Sequence, residues 1–132
     1  MESDEDVKQA LAEARTETGR RRYQEVMVSD APPPMTPYLA QGVVDSVFGE
    51  LWDRPGLSRR DRRFITLACV AAAAVDEPIQ QHVYAALASG DISREEFQEI
   101  VLHFAYYAGW PRASALEMAY YRAVARIEAD TA

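Results

Sequence analysis

Apolar residues recur three or four positions apart along most of the chain, which is the spacing of amphipathic α-helices. No segment shows the sustained alternation that marks a β-strand. Proline, glycine and serine interrupt the helical pattern at intervals, and the chain is therefore predicted to form an all-α fold of six helices. The predicted helices run from Asp6 to about Met27, from Pro37 to Trp52, from Ser58 to Val75, from Pro78 to Gly90, from Ser93 to the "AGWP" stretch, and from Pro111 to about Ala129.

The residues at the predicted helix ends favour these boundaries. Thr36 is placed to cap the second helix, with Pro37 at its first position. Ser58 precedes Asp61 by three residues, which is the spacing of a capping box at the start of the third helix. Ser93 is followed by two glutamates, whose charge is favourable near the positive end of the fifth helix dipole.

The third helix contains the most apolar stretch of the chain, "FITLACVAAAAV". Such a stretch is too apolar for a surface position, so it is predicted to be the central helix of the core, with Cys69 as a small buried residue. The fourth and fifth helices are joined by the short "SGDIS" connection and are predicted to form an antiparallel hairpin.

The only two histidines, His82 and His103, lie on this predicted hairpin. Counted from Gly90, they are offset by about five residues, or roughly 7–8 Å along the hairpin. Both fall at the edge of the apolar stripe of their helix, where a side chain can face a cleft, a subunit interface or water. If the two helices pack directly, with axes roughly 8–10 Å apart, both histidines could reach one small ligand from two sides.

The bulk composition narrows the possible partners. A chain of 132 residues fits a single domain, and a net charge of -7 disfavours nucleic-acid binding, which needs a basic surface. No apolar run approaches the length of a membrane span. The acidic N-terminus lacks the order of a secretory signal, so a cytoplasmic location is expected. A single cysteine allows no intrachain disulfide and no two-cysteine metal or redox site.

Several short motifs in a fixed order resemble the carboxymuconolactone decarboxylase family over Phe48 to about Ala119. The motifs are Gly49-Glu50-Leu51-Trp52, Arg54-Pro55-Gly56-Leu57, Ile65-Thr66-Leu67, Glu77 with His82 and Ala85-Ala86-Leu87, and Tyr107-Ala108-Gly109 followed by Pro111. The resemblance implies a six-helix AhpD-like fold with a central helical hairpin, in one domain spanning residues 1–132 with residues 1–30 as a helical extension. It also implies a homo-oligomer, a trimer or a hexamer.

The resemblance implies one of two activities known in the family. The branch that reduces disulfides uses a pair of cysteines, which this chain lacks. The chain resembles the other branch, whose members are lyases that decarboxylate γ-carboxymuconolactone in aromatic-acid catabolism; a related carboxylated lactone is an equally open substrate. This reaction needs no cofactor and no metal, because the unsaturated lactone accepts the electrons that the departing CO2 leaves behind.

The resemblance also points to candidate catalytic residues. His82 aligns with the histidine of the family and is expected to donate a proton, or a hydrogen bond to the lactone oxygen. Glu50 and Glu77 are candidates to orient this histidine or to shuttle protons. His103 is a further catalytic candidate, although the family often carries glutamine at that position.

Other candidates concern substrate binding. Tyr84 stands where the family carries an arginine that can clamp a carboxylate with two parallel hydrogen bonds. Arg54 and Arg112 are candidates to supply a replacement charge. Tyr107 and Trp110 are expected to form walls of the pocket.

Two other functions remain open. The chain could be a cofactor-free acid–base enzyme of the same fold, acting on a larger aromatic or polyketide-like substrate with His82 and His103 as the pair. It could also be a non-catalytic oligomeric binding protein. The decarboxylase hypothesis predicts an arginine close to His82, whereas the acid–base hypothesis predicts a tyrosine-lined pocket that contains both histidines.

Overall fold

A computed structural model describes residues 1–132 and contains six helices and no strand, as predicted. The short helix α2 continues without a break into a π-helical segment, and the two count as one helix. None of the helices combines the length and apolarity that crossing a bilayer requires. The elements are α1 (Asp4–Met27), α2 (Pro37–Ala40), the π-helical segment (Gln41–Leu51), α3 (Arg59–Ala73), α4 (Asp76–Ala88), α5 (Arg94–Ala108) and α6 (Trp110–Thr131).

The chain forms two compact units, Met1–Leu57 and Ser58–Ala132. The first unit contains the whole of the predicted N-terminal extension together with α2 and the π-helical segment. The second unit contains α3 to α6, and with them both histidines.

Serine side chains cap two helices as predicted. The Ser58 hydroxyl accepts a hydrogen bond from the Asp61 amide at 3.0 Å, and Ser93 and Glu96 form a complete capping box at the start of α5. Thr36 occupies the position before α2, but its hydroxyl makes no capping hydrogen bond. Here the rigid proline that follows is sufficient to start the helix.

Three helices begin earlier than predicted: α1 at Asp4, α4 at Asp76 and α6 at Trp110. Pro78 and Pro111 therefore lie inside the first turn rather than at the first position. The first four amides of a helix have no partner within the helix, so a proline anywhere in the first turn costs no hydrogen bond. The presence of proline alone cannot distinguish among these positions.

Two glycines bring α1 and the π-helical segment into close contact in the first unit. A Cβ atom on Gly19 would lie 2.0 Å from the carbonyl oxygen of Val44, and one on Gly49 would lie 2.7 Å from that of Arg15. Gly49 belongs to the motif that carries the family resemblance, and the structure gives it a packing role.

A second group of contacts in the first unit is aromatic. The Tyr23 ring meets the Phe48 ring edge-on at 4.9 Å, and the Phe48 ring stacks on Trp52 at 6.3 Å. All three side chains are buried together with Val26 and Met27. This small cluster holds α1 against the end of the π-helical segment.

The central helix of the second unit is α6, since α3, α4 and α5 all pack against it. The predicted core stripe of α4 is confirmed: Ile79, Val83 and Ala86 are buried. In α5, Phe97 and Phe104 are buried, and the Phe97 ring stacks on that of Tyr120 in α6 at 5.3 Å. The two helices of the predicted hairpin thus make their main contacts with α6.

The prediction of α3 as the central helix was wrong. Only Arg63, Leu67 and Ala71 of this helix are buried, whereas Ile65 is 53% exposed. Cys69 is also exposed, which corrects its prediction as a core residue. Apolar content measures how much surface a helix tends to bury, but it does not say which helix the others surround.

The glycine contact in the first unit leads to a stability prediction. Gly19→Ala should lower the free energy of unfolding of this unit by about 3 kcal/mol or more, because the new methyl group would overlap a backbone carbonyl that cannot move freely. The change in the free energy of unfolding is measured by urea denaturation followed by fluorescence. A Trp110→Phe background leaves Trp52 as the only tryptophan.

Gly42→Ala is the matched control, because nothing lies within 4 Å of a Cβ atom at that position. It should leave stability unchanged or raise it by up to about 1 kcal/mol, as alanine restricts the unfolded chain. Equal effects of the two substitutions would contradict the close contact at Gly19.

Candidate active site

The basic run at the start of α3 converges on one carboxylate. Arg59 donates two hydrogen bonds to Asp91, at 2.7 and 2.8 Å, and Arg63 donates a third at 2.6 Å. Arg60 donates to the Asp91 backbone carbonyl at 2.6 Å. Asp91 lies in the connection between α4 and α5, so this cluster fixes α3 to that connection.

Burial makes the Arg63–Asp91 pair distinctive, because the Arg63 side chain is only 2% exposed. Hydrogen bonding from Arg59, followed by the pairing with Arg63, lowers the pKa of the Asp91 carboxyl to about 2, although burial opposes the shift. Burial lowers the pKa of the Arg63 guanidinium, while Asp91 opposes this. Both groups are charged at neutral pH, since a guanidinium ordinarily titrates above pH 12.

His82 lies on α4 at the edge of the buried stripe and is half-buried. Burial, and then the positive charge of Arg63, lower the pKa of the His82 imidazole from 6.5 to about 4. The imidazole is therefore neutral at pH 7, with one nitrogen that donates and one that accepts. The arginine whose charge acts on His82 is Arg63, which was not among the candidates named from the sequence.

His103 lies in different surroundings. It is exposed on α5, stacks on the Tyr107 ring at 5.0 Å, and lines a cavity of about 540 Å³ between α3, α5 and α6. His82 is not among the residues that line this cavity. The two helices pack mainly on α6 rather than on each other, so the structure does not bring the two histidines to one cavity.

Three further candidates lie on α4 and α6. Glu77 is exposed in the first turn of α4 and accepts a hydrogen bond from Gln81 at 3.3 Å. Tyr84, two positions after His82, points to nearly the opposite side of the helix. Its ring lies beneath the Arg126 guanidinium, whose central carbon is 3.6 Å from the ring centre. Trp110 lines a second cavity of about 530 Å³ between α5 and α6.

The remaining candidates are exposed. Glu50 and Arg54 lie in the first unit, where the Glu50 carboxylate accepts a hydrogen bond from Arg15 at 2.6 Å. This ion pair links α1 to the π-helical segment, so Glu50 has a structural contact of its own. Arg112 lies in the first turn of α6, where it is exposed.

Sequence reasoning missed Arg63 and Asp91, which define the surroundings of His82. Arg63 stands in the basic run "SRRDRR" and Asp91 in the "SGDIS" connection, and neither residue was predicted to belong to the site. The signal that could have found them is the position of Arg63 four residues before Leu67, on the buried face of α3. A buried arginine requires a carboxylate partner.

The cluster brings positive charge to bear on an imidazole. Arg59 and Arg63 both pair with Asp91, and the charge of Arg63 acts on the neutral His82. No group of three or more histidine, cysteine, aspartate or glutamate side chains is arranged to hold a metal ion. The arrangement is suited to holding a carboxylate and donating a hydrogen bond to an oxygen that becomes negative.

Comparison with known proteins agrees with this chemistry. The profile of the carboxymuconolactone decarboxylase family matches residues 37–121. The chain is 35% identical to a 4-carboxymuconolactone decarboxylase of Acinetobacter baylyi over 68 residues, which cover 52% of this chain and 50% of that protein. It is 32% identical to a nitrosuccinic acid decarboxylase of Metarhizium robertsii over 79 residues, 58% and 54% of the two chains. The chain thus spans about half the length of these curated relatives, and the family match, which covers more than half of the chain, shows that it belongs to the carboxymuconolactone decarboxylase family.

Proposed function

We propose that this chain is a carbon–carbon lyase that removes CO2 from 4-carboxymuconolactone or a related small carboxylated compound. The observation that carries the proposal is the half-buried His82 imidazole, which burial and then the charge of the buried Arg63 guanidinium keep neutral. The names of two relatives, both decarboxylases, support the reaction class.

The charge of the cluster favours an anionic substrate. Arg59 and Arg63 both pair with Asp91, and the Arg63 side chain is only 2% exposed. The buried position of Arg63 reduces screening by water, so its field is felt at His82 more strongly than that of an exposed arginine. A carboxylate near His82 therefore meets an attractive potential, although the chain as a whole is acidic.

The reaction requires a group that stabilises the electron pair left by CO2. When the bond between the carboxylate carbon and the ring breaks, that pair moves into the lactone carbonyl and forms a dienolate. The His82 imidazole donates an N–H to the developing oxyanion, a type of interaction worth roughly 3–4 kcal/mol in a site that excludes water. Completion of the reaction requires a proton on carbon.

His82 can also deliver this proton once substrate is bound. An anion beside the imidazole favours its charged form and raises its pKa above the value in the free protein. Burial and Arg63 keep the imidazole neutral before binding. The proton is thus acquired only when an anionic substrate is present, and it is released as the negative charge collapses onto the carbon.

The names of the relatives suggest the chemical class of substrate. A lactone carbonyl and a nitro group can each accept the electron pair left by loss of CO2. One relative is named for a lactone, 4-carboxymuconolactone, and the other for a nitro compound, nitrosuccinic acid. The proposed substrate of this chain accordingly carries its carboxylate next to, or conjugated with, such a group. A compound of this class supplies its own electron sink, so the reaction needs no cofactor.

The activity prediction compares the two histidines. His82→Ala should lower kcat/KM for decarboxylation by about 10²–10⁴-fold, since an acid–base group typically contributes this much. His103→Ala is the matched control and should change kcat/KM less than about threefold, because His103 lines a cavity that His82 does not line. The measurement is loss of ultraviolet absorbance on incubation with 4-carboxymuconolactone, repeated with nitrosuccinate by detection of CO2.

Two outcomes would count against this assignment. Equal losses in both variants would favour the acid–base enzyme in which the histidines act as a pair. Failure of the native chain to release CO2 from either compound would remove the decarboxylase proposal and favour the acid–base enzyme or the non-catalytic binding protein.

The neutral state of His82 predicts how stability depends on pH. The pKa of this group is about 4 when folded and 6.5 ordinarily, so the unfolded chain takes up a proton at a higher pH than the folded chain. The contribution of the neutral His82 to the free energy of unfolding is fully present above pH 6.5. It is lost as the pH falls from 6.5 to 4, by about 3 kcal/mol in all. The contribution of Asp91 is lost only at lower pH, as its carboxyl titrates near 2.

The measurement is urea unfolding followed by circular dichroism at several pH values between 7 and 4. His82→Asn should remove this component of the pH dependence, whereas His103→Asn should retain it. A native chain whose stability decreases no more than that of His82→Asn over this range would show that His82 is not held neutral.

The second part of the proposal is that the chain self-associates as a trimer or a hexamer. It is supported by an exposed patch that comprises Leu102, Tyr106 and Trp110, in which Tyr106 is 76% and Trp110 is 63% exposed. The rings of Tyr106 and Trp110 lie 5.8 Å apart. Aromatic residues of this kind are enriched at the centres of protein interfaces.

Light scattering after size-exclusion chromatography tests the association. The native chain should have the mass of three or six copies, and Tyr106→Lys should reduce it, because a charge would be buried in the contact. Leu11→Lys, at an exposed apolar residue of α1, is the control and should not change the mass. A monomeric native chain would contradict the proposal.

A further inference from the structure

The cavity between α3, α5 and α6 lies within the second unit and is not explained by the proposed reaction. It has a volume of about 540 Å³, and His82 does not line it. Small-molecule sites typically have volumes of roughly 300–1,000 Å³, with apolar walls and a few polar groups. We propose that this cavity is a second ligand site, which binds a flat aromatic molecule that is uncharged or cationic.

The walls of the cavity are mostly apolar. Phe64 and Ala68 contribute from α3, Ile100 and Phe104 from α5, and Leu116 from α6. The alanine leaves room where a larger side chain would project into the cavity. Walls of this composition favour an aromatic ring over a small, highly charged acid, since they offer van der Waals contact and few hydrogen bonds.

Carboxylates give the cavity its charge preference. Glu96 and Glu99 both line it. Arg60 forms an ion pair with Glu96, and hydrogen bonding from Arg60 lowers the pKa of the Glu96 carboxyl to about 2, so these two charges offset each other. Glu99 is exposed and has no ion pair, which leaves one net negative charge at the cavity. An anionic ligand is therefore disfavoured here, in contrast to the cluster beside His82.

Stacked rings supply a surface for the ligand. The planes of the His103 and Tyr107 rings are within 8° of parallel, and both side chains line the cavity. Aromatic faces attract both other rings and cations. Together with Glu99, this stack favours a ligand that carries a positive group near an aromatic ring.

Three probes with the same ring and different charge test the proposal: naphthylmethylammonium, naphthol and naphthoate. Binding is measured with the native chain at low salt by titration calorimetry. The cation and the neutral probe should bind, and naphthoate should bind about fivefold more weakly than the cation, because of the net charge at Glu99. Glu99→Gln should remove this difference between cation and anion.

A pair of substitutions on α3 tests the location. Ala68→Trp should fill the cavity and weaken binding of the cation more than tenfold. Ala72 lies one turn further along the same exposed face and does not line the cavity. The Ala72→Trp variant should therefore bind the cation as tightly as the native chain does. Because both alanines are exposed, neither substitution disturbs the core, and circular dichroism should show the same helical content in both.

Five results would overturn the proposal. The first four are the absence of binding by all three probes, preference for naphthoate, equal effects of the two tryptophans, and a native oligomer that dissociates on Ala68→Trp without ever binding a probe. The fourth would show that a second copy of the chain covers the cavity. Loss of decarboxylation in Ala68→Trp would also overturn it, because the cavity would then belong to the reaction site. Probe binding does not depend on decarboxylation, so failure of either proposal leaves the other testable.

Discussion

The buried ion pair between Arg63 and Asp91 is the interaction on which the arrangement of the second unit depends. It joins α3 to the connection between α4 and α5, at a donor–acceptor distance of 2.6 Å. Removal of one partner from a buried pair typically costs about 3–5 kcal/mol, because the other charge is left without compensation. The pair therefore holds α3 and α4 in one relative position, and the same guanidinium adds to the effect of burial in keeping His82 neutral.

The two histidines show how surroundings rather than residue type determine chemistry. His82 is half-buried, and burial together with the charge of Arg63 keeps its imidazole neutral. His103 is exposed, stacked on Tyr107 and close to carboxylates. Identical side chains on successive helices thus lie in different electrostatic surroundings, and the two proposed sites accordingly differ in the charge of the ligand that they favour.

The sequence predicted the features that depend on local chemistry. Ser58 and Ser93 cap their helices, and Ile79, Val83 and Ala86 form the buried stripe of α4, because both features follow from spacing within one helix. Which helix lies at the centre depends on packing between helices, and α6 holds that position through many small residues rather than through high apolarity.

The pairing of Arg63 with Asp91 could not be derived from spacing either. The two residues are far apart in sequence, and both also have nearer charged neighbours. The separation of the histidines has the same cause: the estimate from the hairpin assumed direct contact of α4 with α5, whereas both helices pack on α6. Local patterns fixed each helix, and long-range contacts fixed the site.

Tyr84 illustrates why membership in a family does not carry a substrate with it. The resemblance leads one to expect an arginine at this position, and the structure has a tyrosine ring with the Arg126 guanidinium 3.6 Å above it. A positive charge therefore lies near α4, but it belongs to Arg126 of α6 and contacts the Tyr84 ring, in place of an arginine that extends from α4 itself. A bidentate clamp requires two guanidinium donors that point at one carboxylate, and a tyrosine supplies no such pair. The resemblance to the family therefore does not extend to carboxylate recognition by the residue at this position.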